Sequence, residues 1–428
     1  MPNPESTVRN DSIEIVTFGC RLNAFESEVI RDATAVSGLT DAVVINTCGV
    51  TAEAERQARQ AIRRARRQRP SAQIVVTGCA AQLKPESFAA MPEVDRVLGN
   101  REKLKPANFV AEVPTVLVND IMAAREGAAH LIHGFEERVR AFVEIQNGCN
   151  HRCTFCIIPF ARGNNRSVAA GTIVNQVRTL VARGYREIVL TGVDIASYGA
   201  DLPGNATLGR LVRQILKLVP ELPRIRLSTL DPAAIDRELL DAFATEQRLM
   251  PHLHLSLQAG SDLILKRMKR RHDSAQAKTL CRQLRISRPD IVFGADIIAG
   301  FPTEGEAEFK ATLTHLRDCE ITYLHVFPYS ERDGTPAARM PQVPIPVRKE
   351  RAARLRHLGE TSLQNYLARQ IGTTTSILVE RPEIGRTPHY ATMSFRVAAS
   401  TVPPRNGEIV MATISKATDT ALVGALAA

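Results

Sequence analysis

The 428-residue chain contains no tryptophan, and aromatic side chains make up only 5% of it. Few rings are therefore on offer as stacking platforms for unpaired bases. No apolar run approaches the roughly 18 residues that a membrane-spanning helix needs, so a membrane is not an expected partner. The opening Met1-Pro2-Asn3-Pro4-Glu5-Ser6-Thr7 lacks the apolar stretch of a secretory signal, and a cytoplasmic protein is expected. Low-complexity segments are also missing. With 44% hydrophobic and 23% charged residues, the composition excludes wholesale disorder.

Positive charge and sulfur are what the chain does hold. Lys and Arg total 55 against 45 Asp and Glu, a net charge of +10. Such a balance favours a polyanionic partner, nucleic acid first, with a merely basic globular protein as the alternative. The eight cysteines are not expected to form disulfides in a reducing compartment, where clustered thiols indicate metal or catalytic sites.

Length alone suggests two to four domains at roughly 100–200 residues each. Three short β-branched runs, Ile13–Phe18, Ala42–Asn46 and Ile74–Thr77, alternate with stretches of helical period. The helix expected over Thr51–Arg69 has Glu53 and Glu55 in its first turn and arginines towards its end, which suits the helix dipole. Strands alternating with helices imply a parallel sheet. Residues 100–135 are weakly patterned and read as the end of this domain plus a connector. A second series follows, with strands at Ala141–Ile145, Glu187–Leu190, Arg224–Ser228, His252–Leu257, Ile291–Ile298 and Ile321–Phe327, and helices around 170–183, 207–219, 235–247, 274–287 and 306–318. Six such units suggest a partial (β/α)6 barrel rather than a full eightfold one. Beyond about residue 368 only short strands fit, namely Thr374–Glu380, Ser394–Val397, Glu408–Ile414 and Ala421–Gly424, and a small five-stranded all-β barrel is expected. The fold class is α/β, in three parts: 1–130, 135–365 and 368–428.

Six of the cysteines form two sets of three. Cys149, Cys153 and Cys156 lie within eight residues, just after the first strand of the barrel series. A loop this short can wrap three thiolates around one inorganic centre. A 4Fe–4S cube usually takes four cysteines, so three leave one iron open to a ligand. Zinc held by these thiols and His151 is the alternative, with inert thiols a third. Cys20, Cys48 and Cys79 each end a predicted strand, at spacings of 28 and 31 residues. The carboxyl ends of parallel strands share one edge, where ligands bind. These thiols would converge there on a second centre, or else be buried singly. Cys281 and Cys319 have no partners at ligand spacing and read as core thiols.

The segment Cys149-Asn150-His151-Arg152-Cys153-Thr154-Phe155-Cys156 resembles the cluster motif of the radical S-adenosylmethionine (SAM) superfamily. That resemblance implies that the three cysteines hold a cluster whose open iron chelates SAM, which is cleaved to a 5′-deoxyadenosyl radical. Phe155 belongs to this motif. Leu190-Thr191-Gly192-Val193-Asp194 lies where the family binds the methionine amino group, although the usual Gly-Gly-Glu is replaced. His254, Ser256 and Gln258, which alternate outward on the fourth strand, resemble residues near SAM and its ribose. Asp296 and Gly300 lie in a stretch similar to the family's adenine-contacting strand. The implied cofactor contacts are Phe155, Gly192, Asp194, Ser256, Gln258, Asp296 and Gly300.

Thr17-Phe18-Gly19-Cys20-Arg21-Leu22-Asn23 with Glu26-Ser27-Glu28, Asn46-Thr47-Cys48 and Thr77-Gly78-Cys79 look like the N-terminal domain of the methylthiotransferases. The last module resembles a TRAM domain, an RNA-binding barrel. The family resemblance implies two 4Fe–4S clusters, the second carrying or donating sulfur, together with SAM, an electron donor such as flavodoxin or ferredoxin, and a sulfur donor. Gly19–Asn23, Glu53–Gln60 and Gly385-Arg386-Thr387 look most like the branch that modifies carbon 2 of N6-threonylcarbamoyladenosine at position 37, in the tRNA anticodon stem-loop. The sister branches act on isopentenyladenosine in tRNA and on an aspartate of a ribosomal protein. Outside the family, a non-catalytic iron–sulfur RNA-binding protein and a zinc-stabilised RNA-binding module are the rivals. Basic runs at 56–69, 266–271 and 348–356 offer phosphate contacts, with Arg63, Arg66, Arg67, Lys269 and Arg270 as the candidates. Solvated helix faces are the plainer reading.

Overall fold

A computed structural model describes residues 8–10, 13–110, 113–125, 132, 134, 135, 138–398 and 402–427. The expected boundary at residue 130 lies outside the described residues.

The N-terminal part is a six-stranded sheet in the order β1 (Val8–Asn10), β2 (Ile13–Thr17), β3 (Ala42–Thr47), β4 (Gln73–Gly78), β5 (Arg96–Leu98) and β6 (Val116–Leu117). Only the β1–β2 pair is antiparallel. β3 reads Ala-Val-Val-Ile-Asn-Thr and is buried throughout, as a central parallel strand covered on both faces requires. Helix α1 (Arg21–Ser37) and helix α2 (Ala52–Gln68) flank it. Thr51 caps α2 by accepting from the Ala54 amide, with Glu53 and Glu55 in the first turn. The weakly patterned stretch supplies β5 and β6, strands of three and two residues that are too short to show a period. α1 has two buried sides. Ile30 and Ala33 face the N-terminal sheet, while Leu22, Phe25 and Val29 join the core of the central domain.

In the central part, β7 (Arg140–Asn147), β9 (Glu187–Gly192), β10 (Arg224–Leu227), β12 (His252–Gln258), β13 (Val292–Ala299) and β14 (Ile321–Pro328) run parallel. The short β8 (Arg166–Ser167) adds an antiparallel edge to β7. β10 pairs with β9, and the two residues of β11 (Thr229–Leu230) just beyond it pair with β12, so one stretch of chain links two four-stranded sheets into a partial barrel. The short helices α3 (Cys79–Leu83) and α4 (Pro85–Ala89) follow β4 in the N-terminal part, and α5 (Ile158–Arg162), α6 (Ala170–Ala182), α7 (Leu208–Leu218), α8 (Arg237–Thr245), α9 (Asp262–Arg267), α10 (Ser274–Ser287) and α11 (Glu306–Asp318) complete the α/β alternation of the central one. Leu253, Leu255 and Leu257 pack into the apolar core with α10. The alternate residues His252, His254, Ser256 and Gln258 therefore line the barrel interior, not its outer side as expected. The cause is that the helix layer takes the apolar face of the strand.

A 24-residue helix, α12 (Ile345–Ala368), leads to a closed barrel of β15 (Thr374–Arg381), β16 (Ile384–Arg386), β17 (Thr392–Arg396), β18 (Ile409–Ala417) and β19 (Leu422–Leu426). β16 was not expected, because three residues containing a glycine show no alternation. The loop 387–390 reaches the end of the central barrel where its strands begin, and Tyr323 Oη donates to His389 O there at 3.0 Å.

Candidate active site

The first thiol triad sits where the sheet edge puts it. Cys20 caps α1, Cys48 follows β3, and Cys79 opens α3 directly after β4. Burial pushes the Cys48 thiol up to about 12, and Cys79 and Cys20 bear on it electrostatically. Gly19 has φ +96, and a Cβ there would lie 2.8 Å from Cys48 Cβ and 2.9 Å from its sulfur. Only glycine fits this turn without moving the thiol.

A buried ionic network supports the triad. Arg162 Nε donates to Cys79 Sγ at 3.1 Å, and its Nη2 donates to Asn23 and to Glu26 Oε2 at 2.9 Å. Lys103 Nζ binds Glu26 Oε2 at 2.7 Å and Asn100 Oδ1 at 2.8 Å. Burial alone would raise the Glu26 carboxyl, but Arg162 and Lys103 outweigh it and hold the group below its ordinary value. Asn46 ties the strand to the helix, donating to Asn23 O and Ser27 Oγ. Arg162, Lys103 and Asn100 escaped sequence reasoning. The available signal was Glu26, a carboxylate in helical register with the apolar Leu22, Val29 and Ile30.

The second triad follows β7. Burial pushes the Cys149 and Cys156 thiols up to about 12. Arg270 Nη1 lies 3.6 Å from Cys153 Sγ, with its Nη2 on Ser256 O and Oγ at 2.7 and 3.0 Å. The two triads lie on adjoining elements: α3, which Cys79 opens, packs on α5, which follows the second triad, and Arg162 of α5 reaches Cys79.

The donor sets fit iron–sulfur clusters. Each has three thiols and no fourth cysteine, the buried members are costly to ionise alone, and each is approached by a guanidinium that can donate to sulfur. A cationic cluster removes the ionisation cost by binding thiolate. Among the described residues, a tighter ligand group is Cys149, His151 and Asp194. His151 Nε2 lies 2.9 Å from Asp194 Oδ2 and Cys149 Sγ 3.9 Å from it. This group leaves out Cys153 and Cys156, so it is not the three-thiol, one-histidine set of the zinc alternative.

The other expected cofactor residues are gathered around the barrel mouth. Asp194 accepts from Ser197 Oγ at 2.6 Å, and Gly192 packs so that a Cβ would meet Gln146 O at 2.5 Å. Phe155 makes an edge contact with Phe301 at 6.5 Å. Gln258 has φ +68, and Gly300 has φ +69 with Arg348 against it. Asp296 Oδ1 lies 2.9 Å from His254 Nε2 and 3.3 Å from His325 Nδ1. Burial opposes its charge, but these imidazoles hold the carboxyl below the usual range.

The basic candidates divide. Arg67 and Lys269 are exposed, and Arg63 is exposed with Glu93 at 4.0 Å. Arg66 is spent internally on Asp95, Pro70 O and Ala72 O. Arg270 points to the second triad and also pairs with Asp231 at 3.2 Å. Sequence charge runs carry no information on this division, because the direction of a long side chain is set by its tertiary neighbours.

Residues 143–316 match the radical SAM superfamily, and residues 12–99 match a group described as "Uncharacterized protein family UPF0004". The threonylcarbamoyladenosine tRNA methylthiotransferase MtaB of Rickettsia prowazekii is 52% identical over 88% of this chain and 90% of its own. The chain belongs to the MtaB family. The MtaB proteins of Aquifex aeolicus and Bacillus subtilis are 37% and 36% identical, each over 85% of this chain, with 91% and 84% of their own lengths covered. Among solved structures, the radical SAM methyltransferase TsrM of Kitasatospora setae, with cobalamin and a [4Fe–4S] cluster bound, is similar with a TM-score of 0.51 and 16% identity. The match covers 74% of this chain and 70% of TsrM, and shows a shared fold. As a radical SAM protein, this MtaB-family chain works with an iron–sulfur cluster and SAM. No helix among the described residues is long and apolar enough to cross a membrane.

Proposed function

We infer that this protein is a cytoplasmic radical SAM enzyme that adds a methylthio group to carbon 2 of N6-threonylcarbamoyladenosine at position 37 of tRNA. The observation that carries this reading is the pair of three-thiol sets on adjoining domains, the first of them reached by Arg162 of the radical SAM domain, which donates to Cys79. A sulfur-carrying centre must face the radical-generating one for a C–S bond to form at a carbon between them. The relatives' shared name supplies the substrate.

Cys149, Cys153 and Cys156 would hold the SAM-cleaving cluster, and Cys20, Cys48 and Cys79 an auxiliary one. When bound, these groups and SAM supply the electron, the radical and the methylthio sulfur. Carbon 2 of adenine holds its hydrogen in a strong aromatic bond without acidic character, which leaves side-chain acid–base groups little to act on. The protein's own part is to place and shield. Arg162 and Asn100 donate towards Cys79 and fix that thiol. Arg270 and Asp194 hold the second triad from two sides. Phe155, Gly192, Ser256, Gln258, Asp296 and Gly300 shape the SAM-facing rim. Residues 1–130, 135–365 and 368–428 serve as auxiliary-cluster domain, radical SAM core and TRAM-like RNA grip. The exposed Arg63, Arg67 and Lys269 would contact phosphates of the anticodon arm. An electron donor of the flavodoxin or ferredoxin kind and a sulfur donor complete the cycle.

Nucleoside mass spectrometry of total tRNA, comparing hosts with and without the gene, tests this. The expected result is loss of the methylthio derivative with its threonylcarbamoyl precursor accumulating. Loss of the isopentenyl counterpart would move the protein to that branch. Unchanged tRNA in a host that normally makes the product would point to a ribosomal protein.

A further inference from the structure

Five guanidiniums converge where the three domains meet, at the lower end of the barrel interior. Tyr390, from the β16–β17 loop, has φ +72 and stacks on His252 with ring centroids 5.0 Å apart. Arg386, Arg226, Arg140 and Arg21 lie 4.7, 5.0, 5.4 and 5.9 Å from the centre of its ring. Arg224 adjoins them, donating to Arg386 O and Ser376 Oγ.

Two carboxylates answer these five cations. Glu187 is fully buried and takes Arg226 in a two-pronged pair at 3.0 and 3.3 Å, with Arg224 at 3.6 Å and Arg140 at 3.8 Å. Glu380 takes Arg386 at 2.8 and 3.2 Å and Arg140 at 2.8 Å. The nearby Asp290 is occupied by His389 and Arg288. Arg21 is left over. Among the described residues it forms no ion pair, and its guanidinium has only the Tyr390 hydroxyl, at 3.4 Å. Arg21 and Tyr390 are half-buried, so the cationic excess is not sealed in.

Position gives this excess its meaning. Arg21 is the residue after Cys20, so its Cα lies one step of about 3.8 Å from the Cα of a first-triad cysteine. From the second triad, a line of interior side chains runs Cys153, Arg270, Ser256, His254, His252 to Tyr390. A substituent that extends down this line from a base held between the triads ends at Arg21 and Tyr390. A threonylcarbamoyl group ends in a carboxylate, whereas an isopentenyl group is apolar. Guanidinium forks bind carboxylates through paired charge-assisted hydrogen bonds.

We propose that Arg21, backed by Tyr390 and Arg386, is the anion subsite that receives the carboxylate of the threonyl group and so selects the substrate. This rests on the function proposed above.

The test uses the holoenzyme and two anticodon stem-loop RNAs, one bearing the threonylcarbamoyl group as its free acid and one as its methyl ester. The ratio of kcat/KM on acid and ester is the readout, with RNA binding in the absence of SAM measured alongside. The wild-type enzyme should favour the acid by roughly ten- to hundredfold, the loss of one charge-assisted contact. Arg21→Gln should bring the acid down to the level of the ester, leave the ester unchanged and weaken binding of the acid RNA alone. Arg21→Lys, which keeps the charge without the fork, should fall between, and it serves if the glutamine variant does not assemble. A merely structural role would lower both RNAs together. A normal wild type with an unchanged ratio in the variants overturns this proposal only. A wild type that cleaves SAM but methylthiolates neither RNA overturns the functional reading and this one with it.

Discussion

The two thiol triads are built on opposite plans. Cys149, Cys153 and Cys156 occupy one loop, so their spacing is fixed by the chain between them. Cys20, Cys48 and Cys79 reach one another only through strand register, β2 to β3 to β4, and through a helix that pins the edge by way of Asn23 and Asn46. The loop triad depends on the sheet for its position. The strand-end triad depends on it for its existence, and adds a buried Lys103–Glu26–Arg162 network in which one member comes from another domain. A dispersed site of this kind is sensitive to substitutions that do not touch a ligand.

The sharpest way to separate the two is to remove the loop thiols. Cys149→Ala, Cys153→Ala and Cys156→Ala together should abolish 5′-deoxyadenosine formation, read by chromatography, while iron and sulfide at the strand-end triad survive. Loss of all iron would show that the sites are not independent. Glu26→Ala should weigh next. It strands Lys103 and Arg162 in the interior, a change expected to cost about 3–5 kcal/mol in chemical denaturation, with iron lost from the strand-end triad first. Gly19→Ala forces a Cβ to 2.8 Å from Cys48 at φ +96. It should destabilise the fold by about 1–2 kcal/mol and shift the electron paramagnetic resonance signal of one cluster only.

The smallest effect is a pH effect. The Glu26 carboxyl lies below its ordinary value because Arg162 and Lys103 outweigh burial. Its stabilisation is therefore complete above the unfolded glutamate value of about 4.3 and is lost as pH falls through the lower folded value. In cluster-free protein, thermal melting followed by circular dichroism, the natural probe for a chain without tryptophan, should show this acid loss. Glu26→Gln should flatten it.

The regular elements were legible in the sequence nearly to the residue. The helix expected over 274–287 is α10 (Ser274–Ser287), and the strands of the barrel series begin within a residue of their expected starts. Hydrophobic period is a local property, and these elements are long enough to show one. β5, β6 and β16 are not, and α12 was visible only as a basic run. Both thiol triads were legible too, one by spacing and one by strand ends. Their supports were not. Arg162 meets Cys79 across 83 residues, and Asn100 meets Ala161 across 61. Arg270 sat in a run that read as surface charge, yet packing turned it inward.

Arg162 also dictates an order of assembly. Ribosomes release residues 13–99, with all three strand-end cysteines, before Arg162 has been made. Until α5 docks, Glu26 has one of its two cationic partners and Cys79 lacks its nearest donor. If the strand-end triad holds the cluster proposed above, its loading is expected to come late in the life of the polypeptide, after the following domain is complete. A gene split between residues 118 and 139 would keep all six strands of the sheet in the first fragment, and that fragment is expected to bind little iron until the second fragment joins it.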